Sequence, residues 1–280
     1  MAELLAVLEN DPASQSALQA AAWILLNTPD GPEVEKAGAV ILQKHTQDTN
    51  LVYLCENLER ARHRGATNLL EAILTNNPSA EVKAQACFVL ATMRKEEAKF
   101  GQNKKATAEA VKLFERVTTE FARSGPTGAE LPRRAKPELY ELRDLTIGKP
   151  APETEGEDLD GQKISLRDYR GQVVVLFFWC SDYTEATDHH KFLERVADKP
   201  VVLIGVSGDN DLIKARAAVE KQQVSWPTIW DGPDRPGPIH EAWNANKWLT
   251  TIVLDAKGVI RYRDVRGREL DAAVDALLRE

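Results

Sequence analysis

Val173-Val174-Val175-Leu176-Phe177-Phe178-Trp179 is an unbroken apolar run of three β-branched residues, one leucine and three aromatics, and it leads into Cys180-Ser181-Asp182-Tyr183-Thr184-Glu185-Ala186-Thr187. A strand with one wet face alternates polar and apolar residues, so a continuous run of this kind needs apolar surroundings on both faces. The run therefore predicts a strand inside a sheet with helices on each side. Outward from it, Val201 to Val206 is a second buried strand. Thr251 to Leu254 and Val259 to Val265 are two more, joined through the turn Asp255-Ala256-Lys257-Gly258. Helical periodicity fits Thr184–Val196, Asp211–Gln222 and Glu269–Arg279. The order β-α-β-α-β-β-α implies a mixed sheet flanked by helices.

Residues 1–123 follow a different pattern. Apolar residues recur at helical spacing: Leu18, Ala21, Ala22 and Leu25 after Asp11-Pro12, then Val34, Ala37, Ile41 and His45 after Pro32. A third helix is expected from Leu51 to Arg64, with Gly65 as its C-cap. Leu69, Leu70, Ile73 and Leu74 mark a fourth. Ser79 caps a long fifth carrying Ala84, Cys87, Phe88 and Ala91, and a sixth carries Ala110, Leu113, Phe114, Val117 and Phe121. The expected fold is thus an all-α domain of helical hairpins, solenoid-like or bundle-like, over 1–123, followed by an α/β domain over 145–280. The last two helices have a tetratricopeptide-style look, but no repeat period is clean. Between the domains, 124–144 holds two Gly, three Pro and clustered charge, and is read as a linker.

With 43% hydrophobic and 28% charged residues, a net charge of −7 and interspersed signs, the chain reads as a soluble globular protein of two domains. The acidic balance argues against nucleic acid as a general partner. No apolar run is long enough for a membrane span. The start MAELLAVLENDP lacks the basic and long apolar regions of a signal peptide. Of the three cysteines, Cys55 and Cys87 sit in helical apolar patterns as small buried hydrophobes, and no zinc or Cys-x-x-Cys spacing occurs.

Several segments of the C-terminal half, in order, resemble the thioredoxin superfamily, in particular its TlpA-like and AhpC/TSA redoxin branch. They are Ile147-Gly148-Lys149-Pro150-Ala151-Pro152, Leu159 to Leu166, Tyr169-Arg170-Gly171 before the first strand, Val202 to Ser207, and Thr250 to Gly258. The resemblance implies a thioredoxin-like fold over 145–280 and would allow an exported or periplasmic protein; the compartment stays open. It also implies where redox chemistry should sit. In the TlpA-like register, where Phe178-Trp179 precedes the Cys-x-x-Cys motif, its two cysteines fall on Tyr183 and Ala186. In the peroxiredoxin register Thr184 keeps the family threonine, and the attacking cysteine falls on Thr187. The position of the cis-proline, or of the thiolate-stabilising arginine, falls on Leu249. A non-proline residue there predicts a trans Trp248–Leu249 peptide.

Both registers therefore leave the nucleophile position without sulfur and its partner position without proline or charge. Cys180 remains the one thiol near the loop. It lies at a strand end rather than at a helix start, and Asp182 nearby disfavours a thiolate. Adjacent side chains on a helix point about 100° apart, so Asp188-His189-His190 is read as a solvated helix face rather than a metal site. Trp179 and Trp226 suit the sheet core. Trp243, Trp248 and Tyr183, with the Pro233–Pro238 turn, could line the old active-site face and hold an extended peptide. The expectation is a non-catalytic thioredoxin-fold protein that binds or scaffolds a protein or peptide, or self-associates through its helical half, without a cofactor. The alternative is a thiol–disulfide oxidoreductase or peroxidase that uses Cys180.

Overall fold

A computed structural model describes residues 1–61, 65–124, 129–182, 186–245 and 249–280. The chain divides into two compact units, Met1–Leu142 and Arg143–Glu280.

The first unit is helical: α1 Ala2–Asn10, α2 Gln15–Asn27, α3 Pro32–Val40, α4 Val52–Ala61, α5 Ala66–Asn76, α6 Ala80–Ala98, α7 Lys104–Thr118 and α8 Glu130–Asp144. Side chains of Ser14, Ser79 and Asn103 accept from the backbone N–H three residues on and so cap α2, α6 and α7. Ser14, not Pro12, opens α2, and Gly65 starts α5 at φ −82° instead of closing α4 in the left-handed region. Past α3 a π-type turn, Ile41–His45, keeps His45 on the buried side, where its Nε2 lies 2.7 Å from the Pro12 carbonyl. Small residues of α6 make room for α7: Phe88 meets Phe114 edge-on at 5.8 Å, and Cys87 Sγ donates to the Leu113 carbonyl.

The segment read as a linker is instead mostly helix. Its residues 125–128 lie outside the described set, but α8 buries Leu131, Ala135 and Leu142 in the helical core. Pro132 falls in the first turn, where backbone N–H groups have no intrahelical acceptor, so only Pro137 removes a helical bond. Tertiary contacts offset that loss. The buried Glu141 lies 2.9 Å from Lys95, which also pairs with Glu138, and Arg134 lies over the Phe88 ring. Composition pointed to a linker because proline and charge dominate it, while the apolar positions that decide packing are few.

The second unit carries a seven-stranded sheet of order β2-β1-β5-β4-β3-β6-β7. Its strands are β1 Glu155–Asp158, β2 Lys163–Ser165, β3 Val173–Trp179, β4 Val201–Ser207, β5 Thr228–Trp230, β6 Thr250–Leu254 and β7 Ile260–Arg263. β3 runs parallel to β4 (Val175 opposite Leu203) and antiparallel to β6 (Val175 opposite Val253). Every residue of β3 is buried. Val174, Leu176 and Phe178 join one core with Trp243 and Ile252, whereas Val175, Phe177 and Trp179 join the other with Phe192, Trp226 and Val274. The helices are α9 Ala186–Val196, α10 Leu212–Lys221, α11 Pro238–Ala242 and α12 Arg268–Leu277. The mixed sheet expected from the pattern, and the thioredoxin-like fold that the resemblance implied, are present; β1, β2, β5 and α11 were not anticipated by periodicity. Gly205 must lack a side chain, because a Cβ there would sit 2.9 Å from Thr228 Oγ1 and about 3 Å from the Trp179 and Trp226 indole nitrogens. Among the described residues, no helix is long and apolar enough to cross a membrane.

Removing α8 should expose the surface that covers Leu131, Ala135 and Leu142. Two leucines brought out of a core cost roughly 3–6 kcal/mol. Residues 1–142 should therefore unfold at a distinctly higher denaturant midpoint than residues 1–123. Equal midpoints would refute the assignment of α8 to the first unit.

Candidate functional site

β3 delivers Cys180 to the end of the sheet, where it is 1% exposed. Burial pushes its thiol above the ordinary cysteine value. An N–H bond from Asp182 pulls it down, the Asp209 and Asp182 carboxylates push it up, and Arg235 pulls it down. The described part of α9 starts only at Ala186. The other thiols are also closed: burial pushes Cys55 and Cys87 up to about 12.

The residue after Cys180 is tied down by a carboxylate that periodicity could not single out. Asp209 is fully buried just past β4. It accepts from Ser181 N–H (2.9 Å), from the Ser181 hydroxyl (2.7 Å) and from the Ser207 hydroxyl (3.1 Å). Its backbone carbonyl accepts from Trp230 Nε1 at 2.7 Å. Asp209 thus knits the ends of β3, β4 and β5 together where the loop begins. Outside it, Lys214 pairs with Asp182 at 2.9 Å and holds that carboxyl below its usual range.

A second buried carboxylate, Asp231, accepts from Ile239 N–H, His240 N–H and His240 Nδ1, at 2.7, 2.8 and 2.5 Å, and so caps α11. Gly237 is required at that approach, since a Cβ would lie 2.2 Å from the Asp231 carbonyl oxygen. Phe178 meets the His240 ring edge-on at 5.1 Å. Trp243, expected on the old active-site face, is instead fully buried and donates through Nε1 to Thr154 Oγ1 at 2.9 Å.

The His189-His190 pair is not a solvated face either. The His189 ring lies 3.9 Å from the Phe177 ring at a 40° tilt, and His190 Nε2 lies 3.0 Å from the Gln222 carbonyl while its ring meets Trp226. Both rings help clamp Trp226, an apolar role that polar side chains in a row did not suggest.

Of the expected positions, Tyr183 and Thr184 lie outside the described residues, as does Trp248 with its peptide bond to Leu249. Ala186 and Thr187 open α9, but their side chains are likewise outside that set. Leu249 precedes β6 in the left-handed region, φ +66°, a conformation that costs an L-residue about 1–2 kcal/mol. Its carbonyl accepts from Arg266 Nη2. It also borders a cavity of about 480 Å³ with a floor of Phe177, Phe192 and Leu270. Among the described lining residues, Arg195, Arg266, Arg268 and Lys191 face a single carboxylate, Asp271. Arg195 is committed to Asp271 and Asp275 at 2.8 Å each. Lys191 and Arg268 have no carboxylate partner among the described residues.

The AhpC/TSA family profile matches residues 147–263, wholly within the second unit. Peroxiredoxin Bcp of Bacillus subtilis is 30% identical over 108 residues, 37% of this chain and 68% of that protein. The chain belongs to the AhpC/TSA family through its C-terminal half. Thiol-disulfide oxidoreductase ResA of Bacillus thuringiensis is 24% identical over 140 residues, 49% of this chain and 79% of that protein. The thioredoxin domain of a thiol-disulfide oxidoreductase from Bacteroides vulgatus is 26% identical with a TM-score of 0.45, over 48% of this chain and 99% of that domain.

The Asp209 node predicts a measurable cost. Asp209→Ala would leave Ser181 N–H and two hydroxyls without their acceptor in a closed site, and should destabilise the second unit by about 2–4 kcal/mol in urea melts. Asp209→Asn keeps one acceptor oxygen and should cost less. A neutral Asp209→Ala would show that the loop is not anchored there.

Proposed function

We propose that this AhpC/TSA-family chain is a redox-silent binding protein that holds a protein or peptide partner and performs no thiol exchange. The observation that carries the reading is the closed state of Cys180: buried, with its thiol raised, beside two carboxylates. Exchange needs a thiolate that can reach another sulfur, and a second thiol to resolve the mixed disulfide. The sequence offers Tyr183, Ala186 and Thr187 where the family places attacking or resolving sulfurs, and Leu249 where it places proline or arginine. The remaining cysteines, Cys55 and Cys87, are buried in the helical core of the other unit.

What survives is a shaped surface. The cavity beside Leu249 joins an apolar floor to Lys191 and Arg268, and it sits on an otherwise acidic chain. An apolar floor and cations without a carboxylate partner among the described residues together suit a partner segment that presents apolar and acidic side chains. Leu249 in a left-handed conformation marks a locally strained backbone at that rim, which fits a recognition role.

Purified protein should neither reduce insulin with dithiothreitol nor consume hydrogen peroxide above background, and Cys180→Ser should change neither result. Peroxide turnover abolished by Cys180→Ser would restore the enzyme reading named by its relatives.

A further inference from the structure

The helical unit carries a groove of its own. It runs between α2 and α4, has a volume of about 580 Å³, and is floored by Leu18, Leu51 and Leu54. Gln15, in the first turn of α2, bonds to Asp48 just ahead of α4, so the two helices start at the same end and run side by side. Each presents an aromatic residue followed one turn later by an asparagine. Trp23 is followed by Asn27, whose Nδ2 donates to the Trp23 carbonyl at 2.9 Å; Tyr53 is followed by Asn57, whose Nδ2 donates to the Tyr53 carbonyl at 2.8 Å.

Those bonds leave each amide an acceptor oxygen and one N–H, and fix its orientation from below. The aromatics are unusually open for their size: Trp23 is 50% exposed and Tyr53 69%. Leaving two large rings in water forgoes their burial energy, so their concentration on one groove calls for something that covers it. The charge is equally selective. Among the described lining residues Arg60 is the single charged group, although the chain as a whole carries −7.

We infer that the α2–α4 groove binds an extended peptide segment that inserts an apolar side chain between Trp23 and Tyr53 and places an Asp or Glu against Arg60. An extended backbone has unpaired N–H and C=O groups in alternation, and a side-chain amide offers one donor and one acceptor in a single plane to match them. Gln19 and Asn50, also on the groove, are exposed and add two more amides. An apolar ligand alone would leave these amides and Arg60 desolvated without partners, which costs affinity. A second copy of this acidic chain would have to bring apolar and acidic side chains together in one extended stretch to fit the same rim.

The inference concerns the first unit and stands whether or not Cys180 reacts. Panning a phage-displayed random dodecapeptide library on the full chain should enrich sequences with an apolar residue close to an Asp or Glu. Fluorescein-labelled copies of the enriched peptides, read by anisotropy, should lose at least tenfold in affinity for Trp23→Ala, for Tyr53→Ala and for Arg60→Glu. Leu42→Ala, exposed elsewhere on the unit, should bind as the parent does. Panning on Arg60→Glu should shift selection from acidic to basic residues, a readout that loss of folding could not imitate. Four results would overturn the inference: no enrichment, enrichment without acidic residues, binding unaffected by the three variants, or a dimer of the parent that Trp23→Ala splits.

Discussion

β3 has no face toward water, and the second unit depends on that constraint. Its side chains divide by parity into two cores, so β3 must lie between two sheet neighbours and beneath helices on both sides. A one-residue slip against β4 or β6 would exchange the two sets and put Phe177 and Trp179 where Phe178 packs, so register is fixed by shape as well as by hydrogen bonds. Cys180, the next residue, inherits that constraint: it cannot turn outward without pulling on a strand whose every residue is buried.

The carboxylate at the end of β4 extends the same constraint into the loop. Asp209 is closed off from solvent, yet Ser181, Ser207 and the loop backbone supply its hydrogen bonds, and so its burial is compensated. The node fixes the direction in which the chain leaves β3, and it sets a negative charge near Cys180 that opposes the thiolate. Thiol-active sites need the reverse, a cation or helix start beside an accessible sulfur. In this chain burial is the first cause that raises the Cys180 thiol, and the Asp209 anchor beside it pushes the same way.

Much of the architecture was legible. The run Val173–Trp179 gave its own bounds, and the later strands and helices fell within a few residues of expectation because burial patterns report them directly. Short elements were missed for a physical reason: β1, β2 and β5 are three or four residues long, too short for any period to develop. α8 was hidden by Pro132 and Pro137, whose penalty composition registers and whose compensation, Lys95 against Glu141 and Leu131 in the core, comes from residues distant in sequence. The site was less legible still. Asp209, Asp231 and the Trp226-clamping histidines matter through partners that only the fold brings near; an Asp in a Gly-Asp-Asn-Asp turn looks like any surface turn residue. Leu249, by contrast, was singled out by family position, and its left-handed backbone marks it as a special place in the chain.

The most direct measurement is the pH dependence of iodoacetamide labelling at Cys180, followed by peptide mass spectrometry on the native protein. A silent thiol predicts slow labelling at neutral pH, with a midpoint above the ordinary value of 9.0. A midpoint below about 7.5, in the range of activated cysteines, would contradict it.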